Sequence, residues 1–177
     1  MIVTLIGYRG TGKTSIAPRL AERLGLSWID ADPELERRAG RSIRDIFAND
    51  GEPEFRRLER EVLVDLLSRD NLVLAVGGGA ILNPDTRRDF RRAGPVVWLQ
   101  ADAETLAARI AGDPTSPGRR PNLTAAGGLD EIRALLTQRE PLYRETATLT
   151  VNTVGRNLDE LVAEIIAGLA LPSRSAS

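Results

Sequence analysis

Gly7-Tyr8-Arg9-Gly10-Thr11-Gly12-Lys13-Thr14 is the stretch that decides the fold, and it directly follows the apolar run Ile2–Ile6. It matches the phosphate-binding loop pattern G-x-x-x-x-G-K-[ST] at every fixed position. The β-branched run before it predicts a buried strand, and residues 15–24 predict an amphipathic helix after it. Glycines allow successive backbone N–H groups to turn inward around phosphate oxygens. The pattern therefore predicts a nucleotide phosphate site, with a glycine-rich turn that binds nothing as the alternative.

The side chains of this loop suit phosphate and a hard metal ion. Lys13 is the only lysine in the chain, and its ammonium would reach the outer phosphates. The Thr14 hydroxyl would ligate Mg²⁺, and the N-terminus of the following helix would add its dipole. The spacing of the loop glycines does not fit the dinucleotide pattern G-x-G-x-x-G. The loop therefore favours a nucleoside triphosphate over a dinucleotide.

The composition limits the chemistry that this protein can perform. The chain has 177 residues, of which 42% are hydrophobic and 28% charged, as in an ordinary globular domain. It contains no cysteine and no histidine, which excludes disulfides, thiolate chemistry and an imidazole base. The groups that remain available for catalysis are amino and guanidinium groups, carboxylates, hydroxyls, backbone dipoles and a hard metal ion. These groups suit phosphoryl transfer, which depends on positioning and charge neutralisation.

The sequence also indicates the cellular location of the protein and the classes of partner that it does not bind. A formal net charge of −1 and an aromatic content of 4% argue against nucleic acid as a partner. No charged leader with a cleavage site precedes the first predicted strand, and no apolar run approaches the roughly 20 residues that cross a bilayer. There is no sustained heptad pattern. We expect a cytoplasmic monomer that binds neither nucleic acid nor a membrane.

Apolar runs that alternate with helical patterns predict an α/β fold around a parallel sheet. Strands are predicted at residues 2–6, 26–29, 72–76, 96–99 and 149–151. Helices are predicted at residues 15–24, 53–69, 83–92, 102–112, 129–144 and 158–169, with two short helices within 34–49 that break near Gly40. Without an internal repeat or linker, residues 1–177 are expected to form a single domain with a frayed tail at 172–177.

Asp30 and Asp32 follow the second predicted strand, at the carboxyl end where ligands of parallel sheets bind. They could hold Mg²⁺ through water, or accept a proton from a substrate hydroxyl. The alternative is structural, with Asp32 as the N-cap of a helix that starts at Pro33 and Asp30 in a strand-end turn. The spacing alone leaves both interpretations open.

Gly77, Gly78 and Gly79 follow the third predicted strand. Three glycines let a ligand approach the backbone closely and expose several N–H donors. A tight strand-to-helix turn is the alternative, but it needs only one glycine. The triplet therefore favours a ligand contact.

Arg56 lies beside the apolar stripe of the predicted helix at residues 53–69, and not on it. It could point along the surface into a cleft. From the pattern alone, a solvated helix arginine is the preferred interpretation.

Residues 113–128 form the longest stretch without periodicity and contain Arg119 and Arg120. Long irregular segments inside compact domains are often lids. The pair could close over phosphates from such a lid, and a surface loop with incidental arginines is the alternative.

Taken in order, these motifs resemble those of the shikimate kinases along nearly the whole chain. The motifs are the phosphate loop, Asp30-Ala31-Asp32, Glu54-Phe55-Arg56-Arg57, Gly77-Gly78-Gly79, Arg120-Pro121 and Arg139-Glu140-Pro141-Leu142-Tyr143. The resemblance implies a three-layer P-loop kinase fold like that of nucleoside monophosphate kinases, with a five-stranded parallel sheet. It also implies a substrate-binding helical region at about 32–62 and a lid at about 111–126. The implied reaction transfers the γ-phosphoryl group of ATP to the 3-hydroxyl of shikimate, in chorismate biosynthesis.

The resemblance further implies a role for each motif residue. The implied catalytic residues are Lys13, Asp32 and Arg120. Phosphates would be held by Gly10, Thr11, Gly12, Lys13, Thr14 and Ser15, with Arg120 reaching over from the lid, and adenine would pack on Arg109 and Arg156. Mg²⁺ would be held by Thr14 and by Asp30 through water. Shikimate would be held by Asp32, Arg56, Gly77, Gly78, Gly79 and Arg139, with the two arginines paired to its carboxylate.

Two points stay open at this stage. Pro121-Asn122-Leu123 replaces the more common Pro-Leu-Leu of the family in a lid a few residues longer than usual, which leaves open whether Arg119 or Arg120 reaches the phosphates. A gluconate kinase is the closest rival enzyme, because its substrate also carries one carboxylate and several hydroxyl groups. A non-catalytic nucleotide switch is the rival from another class.

Overall fold

The computed structural model describes residues 1–113 and 128–170, in which strands and helices alternate. The strands are β1 (Ile2–Ile6), β2 (Ser27–Asp30), β3 (Leu72–Ala75), β4 (Val96–Gln100) and β5 (Leu149–Asn152). The helices are α1 (Lys13–Leu24), α2 (Ala31–Ala39), α3 (Ile43–Leu67), α4 (Pro84–Ala93), α5 (Ala103–Gly112), α6 (Gly128–Thr146) and α7 (Leu158–Ala170). A single turn of 3₁₀ helix at Ala80–Leu82 precedes α4.

The five strands form one parallel sheet in the order β2-β3-β1-β4-β5. β1, which carries the phosphate loop, lies at the centre and pairs with β3 and β4. Because all strands run the same way, their carboxyl ends meet at one edge of the sheet. The phosphate loop and the glycine triplet follow β1 and β3, and Asp30 is the last residue of β2, so all three lie at this edge. The predicted α/β fold with a five-stranded parallel sheet is confirmed.

Both faces of the sheet are covered, which explains why the strands are continuous apolar runs. One face packs under α2, α3, α4 and α6, and contains Ile2 and Ile6 of β1. The other face packs under α1 and α7, and contains Val3 and Leu5. Successive β1 side chains thus enter opposite cores, as the period of two in a strand requires. The three-layer arrangement is confirmed.

The structure corrects the predicted cap of α2. The helix begins at Ala31, and the Asp30 carboxylate accepts a hydrogen bond of 3.1 Å from the Asp32 N–H. Asp30 is therefore the N-cap, and Asp32 lies in the first helical turn. The predicted break near Gly40 is confirmed, because Gly40 ends α2 in the left-handed conformation.

The helix predicted at residues 53–69 is joined to the one before it. α3 runs over Ile43–Leu67, and its two parts meet at Gly51, whose φ of 82° and ψ of 175° are not helical. The 3₁₀ turn at Ala80–Leu82 was also missed. Residues 114–127, which contain most of the predicted lid, and the predicted tail lie outside the described residues. In the described ranges, none of the helices combines the length and the apolarity needed to cross a membrane.

Candidate active site

The phosphate loop connects β1 to α1 through a backbone that requires its glycines. Gly7, Gly10 and Gly12 have φ values of 140°, 84° and 95°, which other residues rarely adopt. A Cβ atom added at Gly7 would lie 2.5 Å from the Leu99 carbonyl oxygen. The Thr11 hydroxyl and N–H both donate to the Tyr8 carbonyl, at 2.8 and 3.3 Å. The loop is therefore built as a tight turn ahead of a helix N-terminus, as phosphate binding needs.

Lys13, the first residue of α1, folds back across this loop. Its ammonium donates to the carbonyl oxygens of Gly7 at 2.7 Å and Tyr8 at 2.9 Å. The partly buried positive charge thus lies at the mouth of the loop, beside the backbone groups that would surround a phosphate. This position agrees with the predicted role of Lys13, which stays a prediction.

A cavity of about 600 Å³ opens at the carboxyl edge of the sheet. Its lining includes the loop residues 10–15 and Asp30, which are predicted to hold phosphates and metal. Asp32, Gly77 and Gly78, predicted to bind the phosphoryl acceptor, and Arg109 and Arg156, predicted to pack on adenine, also line it. The volume lies within the range of small-molecule sites. One cavity therefore joins most of the predicted site residues.

Thr14 and Asp30 form the candidate metal site. The Thr14 hydroxyl donates to the Asp30 carboxylate at 2.8 Å. In the described part of the chain no cluster of three acidic residues could hold a metal by itself. A hydroxyl beside a single carboxylate is nevertheless the kind of sparse, oxygen-only protein set that suits Mg²⁺, which keeps several waters and binds substrate phosphates. The two side chains thus fit a magnesium ion that is shared with a nucleotide.

The Asp30 carboxyl lies in an unfavourable place for a charge. Burial, followed by the negative charge of Asp32, raises the pKa of Asp30 above its usual value, although the hydrogen bond from Thr14 opposes the shift. A nearby cation would relieve both causes. A cation bound beside Asp30 would therefore lower its pKa again.

We expect Asp30→Asn to stabilise the protein in the absence of Mg²⁺ while it weakens catalysis. Because the pKa of Asp30 is raised on folding, its ionisation destabilises the folded state at neutral pH, and Asn removes that cost while it still caps α2. The melting temperature at pH 7 should rise by about 1–3 °C. The gain should decrease as the pH falls through the raised pKa of Asp30 and vanish below about pH 3, where the carboxyl is protonated in both the folded and the unfolded protein. Melting curves of the two proteins against pH test this, and a variant that melts at or below the wild-type temperature at pH 7 contradicts it.

Arg56 lies against the glycine triplet and is not a solvated helix arginine. Its guanidinium packs on Gly79, where an added Cβ would lie 2.7 Å from Nη1 and 2.8 Å from Cζ. One nitrogen donates to Glu59 at 2.7 Å and another to Glu52 at 3.2 Å. The absence of a side chain at Gly79 is therefore what allows Arg56 to reach this position. The interpretation from the helical pattern alone was wrong, and the one implied by the family resemblance agrees with this placement.

The carbonyl groups of the glycine triplet are all engaged by the protein. Those of Gly77 and Gly79 accept the N–H groups of Ala80 and Leu82, both at 3.0 Å, and so form the 3₁₀ turn. The Gly78 carbonyl accepts the Tyr143 hydroxyl at 2.5 Å. Because the carbonyls are used, a ligand at this segment would meet N–H donors, which suit an anion or a hydroxyl oxygen.

Arg139 approaches from α6 and is 95% buried, since only 5% of it is exposed. Its guanidinium carbon lies 5.9 Å from the centre of the Tyr8 ring, next to the phosphate loop. Within residues 1–113 and 128–170, its buried Nε has no hydrogen-bond partner. A buried guanidinium donor that the described protein does not satisfy is suited to an anionic ligand.

The predicted adenine residues lie on the other side of the cavity. Arg109 donates to the Gly10 carbonyl at 3.2 Å and to both the hydroxyl and the carbonyl of Thr153, at 2.9 Å each. Arg156 forms an ion pair with Glu164 of α7. The edge of the Arg109 guanidinium is thus tied to the loop and to the end of β5. Arg119 and Arg120 lie outside the described residues, so their roles stay predictions.

Sequence reasoning gave no role to three residues that organise this site, namely Glu59, Tyr143 and Thr153. Glu59 had a visible signal, because it is an acid four residues after Phe55 on the buried face of α3, and it is itself buried. Tyr143 lies one helical turn after Arg139, on the same face of α6. Nothing in the local pattern distinguishes Thr153, since its contacts are with residues far along the chain.

The chain is similar to known kinases over almost its full length. A family model described as "Shikimate kinase" matches residues 9–170. A shikimate kinase of Rhodopirellula baltica is 43% identical over 92% of this chain and 87% of its own, and one of Thermobifida fusca is 45% identical over 94% and 92%.

Solved structures agree with these matches. The shikimate kinase of Acinetobacter baumannii, solved in complex with shikimate, superposes with a TM-score of 0.87 at 38% identity, over 93% of this chain and 90% of that one. A gluconokinase from Sinorhizobium meliloti shares the fold alone, with a TM-score of 0.52 at 19% identity over 95% and 90% of the two chains. This chain belongs to the shikimate kinase family.

Proposed function

We propose that this protein transfers the γ-phosphoryl group of ATP to the 3-hydroxyl of shikimate and releases shikimate 3-phosphate and ADP, a step of chorismate and aromatic amino-acid biosynthesis. The observation that carries the proposal is the cavity that the phosphate loop lines together with Asp32, Gly77 and Gly78. In a member of the shikimate kinase family, ATP as the phosphoryl donor and shikimate as the acceptor would meet along this lining. The protein would act as a cytoplasmic monomer with these two small molecules as its partners, and not with nucleic acid or a membrane.

The phosphate loop would hold the triphosphate of ATP. Backbone N–H groups of residues 10–15 would surround the phosphates, and the Lys13 ammonium would move from the carbonyls of Gly7 and Tyr8 to the transferring group. Arg109 would support adenine from a guanidinium whose edge is already held by Thr153, and Arg156 would lie beside it. Arg120 would add a positive charge from the lid.

Thr14 and Asp30 would hold Mg²⁺, directly and through water respectively. The ion would neutralise charge on the phosphates as it develops during transfer. Asp30 would keep the Thr14 hydroxyl oriented through the hydrogen bond that the structure shows.

Arg56 and Arg139 would hold the shikimate carboxylate from opposite sides. Arg56 packs on Gly79, and Arg139 lies against Tyr8, which follows the loop residue Gly7. An added Cβ at Gly78 would meet Gly7 and Tyr8 within 3.4 Å, so the triplet contacts Arg56 at Gly79 and lies beside the backbone of Tyr8 at Gly78. Two guanidinium forks around a backbone that presents N–H groups form a pocket for a small polyol acid.

Asp32 would receive the reacting hydroxyl. Its carboxylate lines the cavity together with Lys13 and the glycines, between the phosphate loop and the acceptor side. There it would orient the shikimate hydroxyl toward the phosphoryl group and accept its proton as the new bond forms.

Release of ADP by the purified protein tests the proposal, with ATP and Mg²⁺ and with shikimate, gluconate or no acceptor. We expect turnover that depends on shikimate and is weak with gluconate. Turnover with gluconate alone would favour the rival kinase. ATP binding without turnover on either acceptor would favour the nucleotide switch.

The carboxylate clamp predicts a selective effect of Arg139→Lys. The change keeps the charge but loses the planar fork, so the KM for shikimate should rise by about 10- to 100-fold, while the KM for ATP changes less than twofold. Arg133→Lys on the same helix is the matched control, because Arg133 is exposed and pairs with Glu104. Steady-state kinetics with each substrate varied in turn measure this, and an equal loss of affinity for ATP would contradict the clamp.

A further inference from the structure

Tyr143 of α6 is buried behind the glycine triplet, with 1% of its surface exposed. Its ring stacks on Trp98 of β4, with the ring centres 5.6 Å apart and the planes at 21°. Its hydroxyl donates to the Gly78 carbonyl at 2.5 Å. The ring is therefore held by packing, and the hydroxyl bonds directly to the glycine triplet.

Gly78 is enclosed on two sides. A Cβ atom added there would lie 3.3 Å from the Gly7 carbonyl oxygen, and 3.4 Å from both the Tyr8 Cα and the Tyr143 hydroxyl. The middle residue of the triplet thus lies between the phosphate loop and Tyr143. The hydrogen bond from Tyr143 acts where the backbone has little space to move.

The planar peptide bond passes this constraint on to the next residue. In a trans peptide the C=O of one residue and the N–H of the following residue point in opposite directions. A hydroxyl that fixes the Gly78 carbonyl therefore also fixes the direction of the Gly79 N–H. Gly79 in turn forms the surface on which the Arg56 guanidinium packs.

We propose that Tyr143 is a positioning residue for the phosphoryl acceptor. Its hydroxyl sets the orientation of the Gly78–Gly79 peptide, and hence the direction of the Gly79 N–H and the position of the surface on which Arg56 packs. Tyr143 itself touches neither substrate. The proposal rests on the proposed function, since it takes shikimate as the molecule that the triplet and Arg56 bind.

Tyr143→Phe tests the role, because it removes the hydroxyl and keeps the ring on Trp98. The KM and the dissociation constant for shikimate should rise by about five- to tenfold, the effect of one lost hydrogen bond. The dissociation constant for ATP should change less than twofold. Steady-state kinetics and calorimetric titration of each substrate measure these values.

Thr146→Val is the matched control on the same helix. Thr146 is fully buried, and its hydroxyl donates to a main-chain carbonyl, that of Leu142, at 2.6 Å. The control should lower the melting temperature as Tyr143→Phe does, yet leave the affinity for shikimate unchanged. A merely structural role of Tyr143 would make the two variants alike in both respects.

Three outcomes overturn the proposal: a shikimate affinity of Tyr143→Phe within twofold of wild type, an equal loss of ATP affinity, or an equal loss of shikimate affinity in Thr146→Val. If Tyr143→Phe does not fold, Gly78→Ala tests the same contact from the loop side, and an unchanged KM for shikimate overturns the role. Absence of shikimate-dependent turnover in the wild type overturns the proposed function as well. Normal wild-type turnover with an unaffected Tyr143→Phe overturns the positioning role alone.

Discussion

Lys13→Ala is expected to lower kcat by about 10²- to 10³-fold at saturating ATP and shikimate, with the fold preserved. The ammonium lies at the mouth of the phosphate loop, and no other lysine in the chain can replace it. In the proposed role it would stabilise the transition state more than the bound substrate, so the loss should appear in kcat more than in the KM for ATP.

Lys13→Met removes the charge but keeps an unbranched apolar side chain. It should lower kcat as much as Lys13→Ala does, because the charge is what the reaction needs. Arg19→Met is the control for net charge, because Arg19 lies on the same helix in an exposed pair with Asp159. ADP release measures kcat, and circular dichroism with thermal melting measures the fold. A folded Lys13→Ala protein that retains wild-type turnover would remove Lys13 from the mechanism.

Asp32→Asn is expected to lower kcat by about 10²-fold or more, because the amide can still accept a hydrogen bond but cannot take the proton of the acceptor hydroxyl. It should also favour ionisation of Asp30, since the charge of Asp32 is one cause of the raised Asp30 pKa. A decrease in kcat with little change in the KM for shikimate is therefore the expected signature.

Asp159→Asn is the matched control for Asp32→Asn. Both aspartates lie in the first turn of a helix, so the two changes have similar effects on the helix dipole. Asp159 lies on α7, in an exposed pair with Arg19. Steady-state kinetics compare the two variants. If Asp32→Asn keeps more than a tenth of wild-type kcat, Asp32 does not act as the base.

The fold was predictable because its signals are local. The apolar strand runs, the helical periodicities and the phosphate loop each lie within one short stretch, and the parallel sheet follows from their alternation. The boundary of α2 was less predictable. As the structural alternative to ligand binding, the sequence suggested Asp32 as the cap and Asp30 in a strand-end turn, whereas the Asp30 carboxylate caps α2 and also accepts the Thr14 hydroxyl.

The acceptor side of the site was less visible because its contacts are long-range. Arg56 contacts Gly79, which is 23 residues away in the sequence, and Tyr143 contacts Gly78, which is 65 residues away. Neither contact can be recognised from the periodicity of a helix. The family resemblance implied that Arg56 belongs to the site, and its contact with Gly79 agrees with this, whereas periodicity favoured a solvated arginine. Tyr143 and Thr153 form hydrogen bonds to groups on other elements, and only the folded arrangement reveals these bonds.

The resting position of Lys13 affects the thermodynamics of nucleotide binding. A lysine side chain in water has about 2 kcal/mol of rotamer entropy, which is lost when the chain is ordered. The bonds from its ammonium to Gly7 and Tyr8 order this side chain against the loop. That part of the entropy is thus lost on folding, and nucleotide binding does not bear it again. Movement of the ammonium to the phosphates would break these two bonds, so the net effect on nucleotide affinity is the difference between the entropy already lost and the cost of breaking the bonds.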